Sequence, residues 1–223
     1  MLNPPTLFVE KLSDDAPIHC DFTINPWNDI EPETLSNHMG ELPDHRPFTQ
    51  FKVAYGKHTI NIIFQVEDCY VKAVADRYQG PVYQDSCVEF FFSPGPWVTH
   101  GYFNLEVNCC GMALFEYHPA GSEEFIKIPE DTFEKISIVS SLNGQIEQEI
   151  TNSLTWSVAY RLPYEILKAY TDVTRPSPGT EWRGNFYKCA DKTSHPHWLT
   201  WAPVHFPSPR FHLPEYFGHL KFV

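Results

Sequence analysis

The stretch Gly80-Pro-Val-Tyr83-Gln-Asp85-Ser-Cys87-Val-Glu89-Phe-Phe-Phe-Ser-Pro94, then Gly95-Pro-Trp97-Val-Thr-His100, then Gly101-Tyr-Phe-Asn104-Leu-Glu106-Val-Asn108-Cys-Cys-Gly111, decides how this chain folds. Two apolar runs, 88–92 and 102–107, flank a loop rich in Gly and Pro, the sequence form of paired antiparallel strands. Side chains alternate along a strand, so Asn104, Glu106 and Asn108 share one face and Phe103, Leu105 and Val107 the other. Asp85 and Glu89 share parity on the first strand. One face is therefore apolar core and the opposite face is amide and carboxylate. Acids and amides beside rings such as Tyr83 and Trp97 suit a ligand made of hydroxyls and C–H faces, which describes a sugar. The outward residues of an ordinary solvated sheet would leave the same pattern.

Upstream of this pair, alternation at Phe51, Val53 and Tyr55, an apolar run over 59–66 and another over 70–75 form a meander. Residues 113–117 close that half. Downstream, 136–140 and 145–150 read as a hairpin around Leu142-Asn143-Gly144, because Asn-Gly favours a tight primed turn. Strands follow over 154–162, 182–189 and 217–222, with one short helix opening at Pro163. Residues 1–49, rich in Pro and acids with short apolar pieces at 6–9, 18–24 and Pro26-Trp27, read as an edge strand plus long loops draped on the rest, with Trp27 as a core plug. The fold class is all-β: one β-sandwich of mainly antiparallel strands, jelly-roll or immunoglobulin-like, with one short helix. Residues 1–223 form a single domain in which 1–49 is a loop-rich N-terminal extension.

Composition narrows the function. With 28 acidic against 16 basic residues the formal charge is −12, and no block of Lys or Arg occurs, so nucleic acid would be repelled. No apolar run nears the roughly 20 residues that span a bilayer, and the opening Met-Leu-Asn-Pro-Pro-Thr lacks a secretory pattern, so no membrane partner is expected. The six cysteines, Cys20, Cys69, Cys87, Cys109, Cys110 and Cys189, contain no Cys-x-x-Cys pair. Several sit in strand-like runs as small hydrophobes, which favours free thiols and a reducing, cytoplasmic compartment unless a leader has been removed.

The segment Tyr83-Gln-Asp-Ser-Cys-Val-Glu89-Phe-Phe with Tyr102-Phe-Asn-Leu-Glu-Val-Asn108 resembles family 9 carbohydrate-binding modules. Gly184-Asn-Phe-Tyr-Lys-Cys-Ala-Asp191, Leu199-Thr-Trp-Ala-Pro203 and Phe211-His-Leu-Pro-Glu-Tyr-Phe-Gly-His-Leu220 match those modules near their C-terminal end, so the likeness runs from about residue 51 to 223. The resemblance implies a β-sandwich that binds an oligosaccharide or polysaccharide without cleaving it, in support of carbohydrate catabolism. Two aromatic rings would clamp the terminal sugar, and a Glu with polar neighbours would bond its hydroxyls. Carried over, the clamp falls on Tyr83 and Phe211 and the acid on Glu89, with Glu106 and Asn108 on the same polar face. Both clamp positions hold smaller rings than the family's tryptophans, and Glu106 stands where the family has a basic residue. Calcium bracing the fold is implied as well, through Asp68, Asp85 or Asp191.

Three rivals accompany this reading. A carboxylate pair, Asp85 with Glu89 or Glu89 with Glu106, could hydrolyse a glycosidic bond, which needs two carboxyls about 5–10 Å apart. The histidines His195, His197, His205, His212 and His219 could hold a transition metal. The aromatic, Pro-rich segment 198–217 could instead pack on a partner protein with no sugar ligand.

Overall fold

A computed structural model describes residues 4–13 and 16–223; residues 1–3, which open the stretch read for a secretory pattern, and 14–15 lie outside that description. The strands are β1 (Thr6–Lys11), β2 (Glu33–Thr34), β3 (Asn37–His38), β4 (Phe48–Tyr55), β5 (Thr59–Asp68), β6 (Val71–Ala73), β7 (Cys87–Ser93) and β8 (Tyr102–Asn108). They continue as β9 (Ala113–His118), β10 (Ile126–Lys127), β11 (Ser137–Ser140), β12 (Ile146–Ile150), β13 (Leu154–Pro163), β14 (Glu181–Cys189), β15 (Trp198–Thr200) and β16 (Gly218–Phe222). The single α-helix among the described residues is α1 (Tyr164–Leu167), which begins directly after Pro163.

Two sheets face one another. The first runs β10-β9-β8-β7-β14-β16-β1 and the second β1-β4-β5-β13-β11. Strand β1 belongs to both: Thr6 to Val9 pair in parallel with β16, and Glu10 and Lys11 pair in parallel with β4. The N-terminal strand is thus no edge strand. It joins the two sheets, and the remaining long pairings are antiparallel. The fold is the all-β sandwich expected from the strand pattern.

Alternation explains the layers. Val88, Phe90 and Phe92 of β7, Phe103, Leu105 and Val107 of β8, and Phe186 of β14 all enter the inter-sheet core. There the Phe90 ring stacks on Phe186 with centroids 4.6 Å apart and on Phe92 at 4.4 Å. Gly218 opens β16 because Trp201 and the Pro5 carbonyl crowd its Cα; a Cβ would overlap the indole and meet Pro5 O at 2.9 Å. This is the steric reason for glycine in the Phe217-Gly-His-Leu220 sequence.

Each outer face has its own cover. Phe22, Trp27 and Ile30 pack on Ala54, Ile63 and Ala159 of the second sheet. Trp27 is fully buried as expected, and buried Lys52 pins that segment by donating to the carbonyls of Phe22 (3.1 Å) and Trp27 (2.8 Å). On the first sheet, Val204, Phe211, Leu213 and Phe217 pack onto Phe91 and Tyr187. Much of the aromatic segment that the rival reading offered to a partner protein is therefore the molecule's own core.

The expected hairpin over 136–150 does not form. Strand β11 pairs with β13 and β12 with β6, so the Asn143-Gly144 turn, with Gly144 at φ +75°, separates strands of different sheets. Local turn chemistry is present, but each flanking segment gains more partners elsewhere than from the other.

Candidate functional site

The outward residues of β7, β8 and β14 meet beneath the 198–217 crossing. Register places Glu89 opposite Glu106 on β8 and opposite Tyr187 on β14, while Cys87 faces Cys189. Over these residues lies a pocket of about 480 Å³ whose wall includes Tyr83, Glu89, Glu106, Glu116, Asp191, Trp198 and Phe211. It shares Glu116, Phe125, Arg210 and His212 with an adjoining cavity of about 600 Å³, so the cleft continues past the first compartment.

The floor is acidic and buried. Glu89 is 1% and Glu106 5% exposed, and the Oε2 atom of each lacks a hydrogen-bond partner. Glu89 Oε1 accepts from the Cys189 thiol at 2.9 Å, and Glu106 Oε1 accepts from Asn104 Nδ2 at 2.9 Å. Burial, followed by the neighbouring Cys189 and Glu106, holds Glu89 well above the usual carboxylate range. Burial pushes Glu106 up to about 8, against the Asn104 hydrogen bond. Asp191 is also raised by burial, partly offset by the Trp198 Nε1–H that it accepts at 2.7 Å. Burial therefore favours the protonated form of both carboxyls, in which each can donate as well as accept.

Four of the five expected site residues line this pocket, and one does not. Tyr83 stands at its rim, 39% exposed, on the short turn Val82–Gln84. Phe211 reaches the wall but is only 8% exposed, with one face stacked on Tyr187 at 4.1 Å. It cannot serve as a free-standing ring. Asn108 is fully buried away from the pocket: its Nδ2 donates to Asp85 Oδ2 (2.9 Å), and its Oδ1 accepts from the backbone of Cys110 (3.1 Å) and Met112 (2.9 Å). Asn108 closes the turn after β8 rather than meeting a ligand. Its parity with Glu106 is right, but the strand ends there and the amide is consumed locally.

Alternation within one strand could not find Asp191 and Trp198, because they come from the end of β14 and from β15. The half-buried Trp198 ring supplies the broad aromatic surface that Phe211 does not. The signal lay in Cys-Ala-Asp191, two residues past a strand that pairs with the Glu89 strand.

The other candidate groups are dispersed. Asp85 is committed to the backbone N–H groups of Val74 (2.9 Å) and Ala75 (3.1 Å) as well as to Asn108, which removes it from any acid pair with Glu89. Asp68 accepts from His45 Nε2 (2.6 Å) and lies 3.6 Å from Lys188 Nζ. Asp68, Asp85 and Asp191 therefore occupy separate places with separate partners. His195 stacks on Tyr70, His197 bonds Lys188 at 2.7 Å, His212 bonds the Tyr102 hydroxyl at 3.0 Å and His219 pairs with Glu181 at 2.7 Å, so the histidines do not converge either. Among the described residues, the one trio of possible metal-binding side chains within 4.8 Å is Cys87, Glu89 and Cys189. All six cysteines are free thiols.

The family model described as carbohydrate-binding family 9 matches residues 28–222, a span that begins well before the motifs do. A search of curated proteins finds no match. Among solved structures, a candidate carbohydrate-binding protein from Bacteroides uniformis ATCC 8492 superposes with a TM-score of 0.86 at 29% identity, over 99% of this chain and 100% of that one. A family 9 module from Caldicellulosiruptor kristjanssonii in complex with glucose gives 0.63 at 14% identity, over 98% and 96%. The same organism's module with cellotriose gives 0.65 at 14%, over 98% and 93%, and at this identity both likenesses speak for the fold. With a match over nearly its whole length, the chain belongs to carbohydrate-binding family 9.

Proposed function

We propose that this protein binds the end of a glycan, without cleaving it, in the pocket over Glu89 and Glu106. The observation that carries the reading is a pair of buried carboxyls with unmatched oxygens, set in a ring-lined pocket of a family 9 chain. Elsewhere a buried acid without partners would be costly, since a polar group removed from water loses roughly 1–3 kcal/mol unless matched. Sugar hydroxyls supply both donors and acceptors at that spot. Tyr83 covers one sugar face from the rim, Trp198 adds a second aromatic surface, and Phe211 shapes the wall between them. The remainder of the glycan runs over Phe125 and His212 into the adjoining cavity. That the related modules hold glucose and cellotriose agrees with this reading.

Covering on the order of 50 Å² of ring carbon contributes about 1 kcal/mol, and each hydrogen bond to a neutral carboxyl about 0.5–1.5 kcal/mol. After association costs the expected affinity is about micromolar to millimolar. Titration calorimetry against glucose, cellobiose and longer β-1,4 oligosaccharides tests it: saturable binding without new reducing ends supports the reading, and absence of any binding removes it. Elemental analysis of the same sample tests the calcium that the family resemblance suggests.

A further inference from the structure

Away from the pocket, the sequence Asn108-Cys109-Cys110-Gly111 ends β8 in a tight turn. Neighbouring residues of an extended strand point their side chains to opposite faces. The turn cancels that separation. Asn108 Oδ1 accepts from the backbone of Cys110 and Met112, the Gly111 N–H donates to the Asn108 carbonyl at 2.9 Å, and Gly111 takes φ +88°, where a side chain would be strained. The two sulfurs come within 3.9 Å of one another. Cys109 is also fixed from both sides, its N–H donating to the Ser86 carbonyl at 2.8 Å and its carbonyl accepting from the Ser140 hydroxyl.

The two thiols sit in unlike surroundings. Cys109 is fully buried in the inter-sheet core, whereas Cys110 packs against that core with part of its surface in solvent. Charge is better tolerated on the sulfur that water reaches. The contact with Cys109 accordingly lowers the Cys110 thiol from its ordinary value, against burial and Asp85, and the same contact together with burial holds Cys109 well above it. A partly exposed sulfur of thiolate character with a second thiol beside it is the arrangement that reacts with peroxides. Cys87 and Cys189 face each other across β7 and β14 but are buried, which pushes Cys87 up to about 12 and Cys189 well above its ordinary value. Cys69 is half-buried, lies 3.9 Å from His45 Nδ1, and is pushed up by burial and then by Asp68.

We propose that Cys109 and Cys110 form a peroxide-sensitive pair, in which Cys110 is oxidised first and Cys109 then closes a reversible disulfide between chain neighbours. The Cys110 thiolate attacks one oxygen of hydrogen peroxide, the O–O bond breaks, and the leaving hydroxide takes up a proton as water. That step leaves a sulfenic acid on Cys110. The Cys109 sulfur attacks it, the S–O bond breaks, and the Cys109 proton departs with the hydroxyl as a second water. Two thiols give up two electrons, and one peroxide is reduced by them. Consecutive Cα atoms stand about 3.8 Å apart, closer than the roughly 4.4–6.8 Å of ordinary disulfides, so the bond is strained and a dithiol reopens it.

The test treats the whole, reduced protein with hydrogen peroxide at neutral pH, alkylates the remaining thiols in denaturant and maps the peptides by mass spectrometry. The segment holding both sulfurs is expected to lose two hydrogens and escape alkylation about fivefold sooner than Cys20 or Cys69 is consumed, and to regain both thiols in dithiothreitol. Cys20 or Cys69 reacting as fast overturns the proposal, as does a Cys110 that runs on to a sulfinic acid, or a bond between Cys87 and Cys189 formed in its place. Cys109→Ala is expected to leave Cys110 as a sulfenic acid that dimedone traps. Cys110→Ser, a mild change at a half-exposed position, is expected to slow oxidation of Cys109 about fivefold; an unchanged rate in that folded variant contradicts the order given to the two sulfurs.

Discussion

The two faces of the β8-β7-β14 sheet are made from alternate residues of the same three strands, yet they obey different rules. On the inner face Phe90, Leu105 and Phe186 pack in the inter-sheet core and bring no polar side-chain atom to it. On the outer face Glu89, Glu106 and Cys189 are just as buried, under the 198–217 crossing, but two carboxyl oxygens end without partners. Equal burial thus encloses an apolar layer on one side and the acidic floor of a pocket on the other. A folded protein tolerates such unmatched groups where a ligand repays them.

The largest expected effect lies on the inner face. Phe90→Ala removes a ring stacked on both Phe92 and Phe186, and should cost about 3–5 kcal/mol of stability in denaturant unfolding. A loss below about 1 kcal/mol would mean that the inner face is not the tightly packed layer described. Asn108→Ala comes next. Its amide is buried and fully matched, so about 2 kcal/mol of stability should go while the glycan affinity of the folded protein stays the same; a selective loss of affinity would return Asn108 to the site.

On the outer face the effects turn from stability to binding. Glu89→Gln should weaken glycan binding about tenfold in calorimetry with little change in the unfolding midpoint. Tyr83→Ala, at a largely exposed ring, should weaken it about fivefold and shift stability by no more than about 0.5 kcal/mol.

Protonation sharpens the same contrast. The Glu106 carboxyl stands at about 8 in the folded protein against 4.5 for the ordinary group. Between those values the folded chain keeps a proton that the unfolded chain has released, so stability present on the acid side is lost as pH rises through about 8. Melting temperatures followed from pH 5 to pH 9 should fall less steeply for Glu106→Gln than for the unaltered protein. Parallel curves would show that the carboxyl is already ionised.

Strand placement was legible in the sequence because alternation and Gly/Pro punctuation are local signals. The runs at 88–92 and 102–107 lie within the observed β7 and β8, and Glu89 and Glu106 share a pocket because parity put them on one face. What local signals could not carry was pairing. The segment 6–9 shows nothing in its own residues of becoming a parallel bridge between two sheets, and Asn143-Gly144 makes its turn without making a hairpin. The site shows the same division: Asp191 and Trp198 join Glu89 only through the tertiary pairing of β14 with β7, and Phe211 lost its free face to Tyr187 by packing that its place in the sequence does not encode.

The central claim is that the unmatched oxygens of Glu89 and Glu106 mark where the sugar sits. Chemical-shift mapping during titration with an oligosaccharide that binds tests it most directly. The account predicts shifts concentrated at Tyr83, Glu89, Glu106, Asp191 and Trp198. Shifts gathered instead around the 64% exposed Trp97 and its neighbours Pro94 and Asp172 would contradict it.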